Sequence, residues 1–288
     1  MIAVLLGLVA AACFGAMTVA VREGLLRVPD AAAGSFVTAT VGLLVTLPAA
    51  LASGDDGLSS SQIWPFLLAG LIAPGVAGLL FTVAVELAGA ARAALLVTAA
   101  PLIAAVPAFL LLDEPVHVAI VAGGAMIVAG GIVLGGEHLE GTSFRRVGLV
   151  VALAAAALIA VRDNFVRWAT RHYDISGLAS GCAALVGASA LILVYLLLTR
   201  RGGTFAAVRR AAGPFLPAGL LIGAAYTALF EALTRGRVTV VTPLYATESL
   251  WTVLLAWIFL RRSERIGPRL VLAAALMVGG AALIGAFR

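Results

Sequence analysis

The chain has 288 residues, of which 62% are hydrophobic and only 11% are charged. This composition lies far outside the range of soluble globular domains and is typical of integral membrane proteins. All 19 basic residues are Arg, so the sequence offers no Lys for a phosphate-binding loop or a Schiff base. We therefore expect no nucleotide-driven engine. We also expect no cofactor, no metal and no nucleic-acid partner.

Ten apolar runs follow one another along the chain, each long enough for a helix that crosses a hydrocarbon core. Short polar connectors such as SGDDGLSSS at 53–61 and GGEHLEGTSFRR at 135–146 separate them. We expect an all-α integral membrane protein with ten transmembrane helices in a lipid bilayer. The predicted spans are residues 3–22, 32–52, 63–86, 91–112, 116–135, 147–168, 176–198, 212–234, 238–260 and 267–286.

The second half of the sequence repeats the first. AVREGLLRV from residue 20 aligns with AVRDNFVRW from 160, FTVAVELAGAAR from 81 with YTALFEALTRGR from 226, and GGIVLGG from 130 with GGAALIG from 279. These matches predict a five-helix unit that is present twice. Because five is an odd number, the second unit enters the membrane upside down, and the halves are inverted repeats. Such repeats favour a carrier that alternates between two sides.

Polar side chains gather in the ninth apolar run, where Glu248 lies near the centre of the predicted span. Polar groups at this depth are costly and tend to mark a substrate or ion route. Three roles are open for Glu248: carrying a coupling proton, pairing with a cationic substrate, or bonding a neighbouring helix. The predicted pathway residues are Glu248, Tyr245, Thr242, Thr247, Trp251, Tyr226, Thr98 and Phe14.

The repeat also places charges at equivalent helix ends. We call Arg22, Glu23, Glu86 and Arg92 the first mouth, and Arg162, Asp163, Glu231 and Arg237 the second mouth. The inverted arrangement puts each set on its own side of the membrane. We expect gates in which cross-pairs such as Arg22 with Glu86 and Arg162 with Glu231 form on the closed side. The alternative is that these charges only anchor helix ends at the interface.

Two long segments carry a family resemblance. They are PLIAAVPAFLLLDEPVHVAIVAGGAMIVAGGIVLG from residue 101 and TPLYATESLWTVLLAWIFLRRSERIGPRLVLAAALMVGGAALIG from 242. With the helices before them they resemble the two EamA-type repeats of the drug/metabolite transporter superfamily, over residues 1–136 and 145–288. The chain departs from that pattern with Asp113 where Gly is usual and Ser249 in place of Pro. The resemblance implies a cavity lined by helices 1, 3, 4, 6, 8 and 9, with helices 5 and 10 as outer supports.

These observations predict a secondary transporter and not an enzyme. We expect a multi-pass exporter of small organic metabolites or drugs in a plasma (inner) membrane, with proton coupling open and a monomer or homodimer as the assembly. A lipid-linked sugar flippase of the same fold is one alternative. The other is a non-transporting intramembrane enzyme with Ser189 as nucleophile, which needs a His partner at similar depth.

The orientation in the membrane is open. Thirteen Arg residues fall on the face that contains the first mouth and six on the face that contains both termini. The positive-inside rule then places the termini outside, whereas the family resemblance implies termini in the cytoplasm.

Overall fold

A computed structural model describes residues 2–52, 61–100, 103, 118–135, 143–200, 202–235, 247–260 and 267–286. Every regular element in these ranges is helical. The helices are α1 (Ile2–Arg27), α2 (Ala31–Ala52), α3 (Ser61–Ala88), α4 (Ala90–Val97), α5 (Val118–Gly135), α6 (Ser143–His172), α7 (Gly177–Arg200), α8 (Thr204–Arg235), α9 (Glu248–Phe259) and α10 (Pro268–Ala286).

The helices identify the chain as an all-α integral membrane protein. Six of the described helices are each long and apolar enough to cross a bilayer, and shorter apolar helices lie in the fifth, ninth and tenth predicted spans. The ten helices follow the predicted order, as two units of five.

Two predicted boundaries were wrong. Helix α1 continues to Arg27, five residues beyond the predicted end, so Arg22 lies inside the helix. Helix α8 begins at Thr204, eight residues before the predicted start. Thr204 is buried, and its hydroxyl donates a 2.9 Å hydrogen bond to the carbonyl of Leu196 at the end of α7. This contact holds the start of α8. The predicted span begins later because Arg209 and Arg210 are charged, as residues of a polar connector are.

The contacts between helices obey the two-fold relation of an inverted repeat. Helix α1 packs against α8 and α9, and its counterpart α6 packs against the matching pair, α3 and α4. Likewise α2 contacts α8, and α7 contacts α3. The equivalent helices α2 and α7, α4 and α9, and α5 and α10 contact each other. The two halves therefore interlock around one axis, with α5 and α10 paired at one edge.

Small residues let several of these helices approach backbone to backbone. A β-carbon at Gly130 of α5 would lie 3.0 Å from the carbonyl oxygen of Ala273 in α10. On the same pair of helices, a β-carbon at Gly280 would overlap the carbonyl oxygen of Gly123. The glycines of α5 and α10 therefore permit close packing within the chain.

Candidate functional site

The start of α9 is seated against the middle of α1. A β-carbon at Gly15 would lie 2.6 Å from the β-carbon of Trp251 and 2.8 Å from the carbonyl oxygen of Glu248. Gly15 is near the midpoint of the 26-residue α1, so Glu248 and Trp251 lie about halfway through the membrane. Thr252 donates a 3.0 Å hydrogen bond to the same Glu248 carbonyl. A carboxyl side chain is thereby held at mid-membrane depth.

Tyr226 of α8 connects this region to α6. Its ring centroid is 5.7 Å from that of Phe14, and only 6% of the residue is exposed. The side chain of Arg162 hydrogen-bonds with the Tyr226 hydroxyl, and the charges of Asp163 and Glu248 also act on this hydroxyl. We call Phe14, Tyr226, Arg162 and Glu248 the central cluster. It joins three predicted pathway residues to one residue that was predicted for a gate.

Arg162 lies well inside the membrane. It precedes His172, the last residue of α6, by ten positions, or about 15 Å of helix. Near that end, Trp168 and Trp64 both make edge-to-face contacts with Tyr173, with centroids 6.1 and 6.0 Å from its ring, as in an aromatic belt at a membrane surface. The Nε atom of Arg162 is 2.9 Å from Oδ1 of Asp163.

The first mouth is arranged differently. Nη1 of Arg22 donates hydrogen bonds to the carbonyls of Val85 and Glu86, at 3.1 and 2.9 Å. Both carbonyls belong to the last turn of α3, and that of Val85 also accepts a 3.1 Å hydrogen bond from Gly89 N–H. Gly89 then reverses the chain with φ 94°, a conformation that favours glycine. Arg22 therefore fastens α1 to the end of α3 through the backbone.

The other charges of the first mouth differ in exposure. Arg92 is 4% exposed at the start of α4. Glu23 is half-exposed, and its carboxylate is 3.7 Å from Arg27 on the same helix. A groove of about 460 Å³ runs beside Glu23 between α1, α8 and α9, and Ala20 is among the residues that line it.

Other predicted site residues lie outside the central cluster or outside the described residues. Thr98 donates its hydroxyl hydrogen bond to the carbonyl of Leu95 in its own helix. Thr247 and Glu231 are half-buried at the start of α9 and near the end of α8. Tyr245, Thr242 and Arg237 lie outside the described residues.

An ion pair that the sequence does not predict lies on the side of the first mouth. Two hydrogen bonds of 2.6 and 2.7 Å join the guanidinium of Arg200, at the end of α7, to the carboxylate of Asp30. Asp30 also caps α2, since its Oδ1 accepts a 3.0 Å hydrogen bond from Ala33 N–H. The cap was readable from an Asp before a run of Ala. The pairing was not, because 170 residues separate the partners.

The enzyme alternative finds little support at Ser189. Its Oγ accepts a 3.4 Å hydrogen bond from Thr40 of α2, a helix-packing contact. Ser189 lies twelve residues into α7, about 18 Å from the end of that helix near which His172 lies. Among the described residues, no group of three His, Cys, Asp or Glu is placed to hold a metal ion.

Comparison with known proteins assigns the family. The sequence profile of the EamA-like transporter family matches residues 1–136 and 146–286. A solved crystal structure has 24% sequence identity and a TM-score of 0.65, with 98% of this chain and 94% of its own covered. That likeness supports the fold alone. No curated protein matches the chain. Because the profile matches both halves, as the two resemblances in the sequence predicted, the chain belongs to the EamA-like transporter family, a family of multi-pass membrane transporters in the drug/metabolite superfamily.

Proposed function

We propose that the protein is a secondary carrier that exports a small organic metabolite or drug across the plasma (inner) membrane by alternating access. The observation that carries this proposal is the unequal bonding of two equivalent residues. Arg22 bonds the backbone at the end of α3, whereas Arg162 bonds a side chain in the central cluster. If the two repeats swap these bonding arrangements, the membrane side of one mouth opens while the side of the other mouth closes.

The gates in this proposal are the two mouths defined above. In the present arrangement the first mouth is the closed one, because Arg22 ties α1 to the end of α3. At the second mouth, Asp163 has a side chain that is 56% exposed beside Arg162. Both Arg side chains reach other helices, which supports a gating role for Arg22 and Arg162 over a purely anchoring one.

The pathway in this proposal crosses the central cluster. Phe14 and Tyr226 offer an aromatic wall, and Glu248 and Arg162 offer charges of opposite sign at similar depth. A carboxyl group on the pathway is able to carry a coupling proton, since ionisable groups inside a membrane often form proton relays. We propose that Glu248 is protonated during part of each cycle, with Thr247 and Trp251 beside it.

Transport by the purified protein in sealed vesicles tests this function. A trapped pH dye would report proton movement when amino acids, organic cations or organic anions are added outside, and counterflow of labelled solute would report exchange. We expect one solute class to move protons and to exchange. Turnover of a solute without movement across the bilayer would instead support an intramembrane enzyme, and movement of a lipid-linked sugar alone would support a flippase.

Glu248→Gln tests the proton role separately. We expect exchange to persist and pH-driven accumulation to fall by tenfold or more, on the order of 1.4 kcal/mol. Glu140→Gln, in the connector between the halves, is the matched control and should accumulate normally. If Glu248→Gln accumulates solute with an unchanged pH profile, the coupling proton is carried elsewhere.

A further inference from the structure

An open groove of about 550 Å³ lies on the outer side of the first mouth, away from the central cluster. It is bounded by the start of α2, the second half of α3 and the end of α7. Its apolar wall includes Leu79, Leu80 and Val83, and its polar end is formed by Asp30, Arg200 and Tyr195.

The groove exists because α3 changes direction. In its first half, Gly70 and Gly187 bring α3 and α7 into backbone contact. At Ala73 the backbone is non-helical, with φ −149° and ψ 127°, and the next residue is Pro74. Beyond this kink α3 follows α2, to which a 2.9 Å hydrogen bond between Ser35 and Thr82 holds it. A wedge between α3 and α7 therefore opens toward the membrane surface.

The polar and apolar parts lie at the depths of a lipid headgroup and its chain. Asp30 caps the start of α2, and Arg200 is the last residue of α7, so both lie at the ends of their helices. Leu79 lies nine residues before the end of α3 at Ala88, about 13 Å deeper. Tyr195 is 46% exposed between these levels, as tyrosines at membrane interfaces are.

The polar end presents one positive and one negative group side by side. A guanidinium has five N–H donors, of which Arg200 uses two on Asp30, so among the described residues three remain for another partner. The Asp30 carboxylate takes two bonds on Oδ1 and one on Oδ2, which leaves Oδ2 able to accept one more. The site therefore matches a phosphate joined to a group with N–H donors.

We propose that this groove binds a phospholipid with a primary-ammonium headgroup, phosphatidylethanolamine. Its phosphate bonds Arg200, its ammonium bonds Asp30, and one acyl chain lies along Leu79, Leu80 and Val83. Phosphatidylcholine lacks the N–H donors, and phosphatidylglycerol lacks the positive charge, so both bind less tightly. The paired charges and the apolar wall carry this inference independently of any transported solute.

Lipid titration of the purified full-length protein, read by native mass spectrometry, tests the proposal. We expect phosphatidylethanolamine to bind about fivefold more tightly than phosphatidylcholine or phosphatidylglycerol of the same chains. Arg200→Gln should remove that preference. Arg210→Gln, an exposed Arg on α8 on the same side of the membrane, is the matched control and should keep it. Equal binding of all three lipids, or a wild-type preference for phosphatidylglycerol, would overturn the proposal.

Two further variants separate charge from shape. Asp30→Asn keeps a residue that caps helices well but removes the negative charge that pairs with Arg200 and with the ammonium, so the preference should switch to phosphatidylglycerol. Val83→Trp fills the apolar wall and leaves both charges in place, so all three lipids should bind several-fold less. Each variant is compared at equal thermal stability. An unchanged lipid order in Asp30→Asn, or unchanged binding in Val83→Trp, contradicts the assigned pose.

Discussion

The two mouths differ most in what their central Arg holds. Arg22 lies five residues before the end of α1 and bonds two backbone carbonyls of α3. Arg162 lies ten residues before the end of α6 and bonds the Tyr226 side chain. At both places the sequence reads Ala-Val-Arg followed by an acidic residue. Equivalent residues of an inverted repeat thus occupy two arrangements at once, which a single rigid two-fold structure would not allow.

One residue type explains part of the difference between Arg22 and Arg162. The residue equivalent to Tyr226 in the first half is Phe81, which has no hydroxyl group. If the halves exchange arrangements, Arg22 gains no counterpart of the bond between Arg162 and Tyr226. The two states therefore differ in energy by at least one charge-assisted hydrogen bond, about 1.5 to 3 kcal/mol. The chain should favour the state that is described.

The largest expected effect comes from Arg22→Glu. This change removes two charge-assisted bonds to α3 and adds a negative charge near Glu86, so the first mouth should open by about 3 kcal/mol, roughly a hundredfold in population. A Cys at Ala20, which lines the groove beside Glu23, would report the opening by faster labelling with an impermeant maleimide. The background carries Cys13→Ala and Cys182→Ala, since both native cysteines are free.

A second reversal decides what Arg22 bonds. If the carboxylate of Glu86 were the essential partner, adding Glu86→Arg to Arg22→Glu would restore slow labelling. The described bonds are to carbonyls, which a reversed pair does not recreate, so we expect the double variant to label as fast as the single one. Full restoration would favour the side-chain cross-pair predicted from the sequence.

A smaller effect is expected from moving a hydroxyl between the repeats. Tyr226→Phe removes one bond to Arg162, about 1.5 kcal/mol, so the described state should lose roughly tenfold in population. Phe81→Tyr offers Arg22 a partner only in the opposite state and should shift the population the same way. Labelling of a Cys at Asn164 should slow in both variants, while labelling at Ala20 should quicken. Opposite shifts for the two variants would show that the repeats do not exchange arrangements.

The sequence predicted the fold better than the site, for a physical reason. Apolar periodicity and internal repetition report helix order and inverted pairing, because both depend on side-chain type along the chain. An alignment of the two repeats compares side chains only. It therefore does not show that Arg22 bonds backbone carbonyls, because every residue has a carbonyl. The ion pair between Asp30 and Arg200 has no equivalent in the second repeat either. Ser176 caps α7 as Asp30 caps α2, but Ser176 carries no charge.

Depth was the other quantity that the sequence could not supply. Arg162 and Glu248 were assigned to a mouth and to the pathway, yet both act on the Tyr226 hydroxyl. Their approach depends on how α6, α8 and α9 slide past one another. The contact of Gly15 with the start of α9 helps set that offset, and hydropathy does not report it.

The smallest expected effects come from the acid that follows each Arg. Glu23 lies 3.7 Å from Arg27 with both side chains well exposed, and such pairs contribute almost nothing. Asp163 lies 2.9 Å from Arg162, whose side chain is only 20% exposed. Glu23→Gln should therefore change labelling at Ala20 by less than about 1.5-fold, whereas Asp163→Asn should change labelling at Asn164 by about fivefold, or 1 kcal/mol.

High salt should leave the Asp163 effect largely intact, because Arg162 is mostly shielded from mobile ions. Equal effects at the two positions, or an Asp163 effect that disappears in 1 M salt, would mean that the pair of Arg162 and Asp163 is screened as well as the pair of Arg27 and Glu23. The contrast between the mouths would then rest on Arg22 alone.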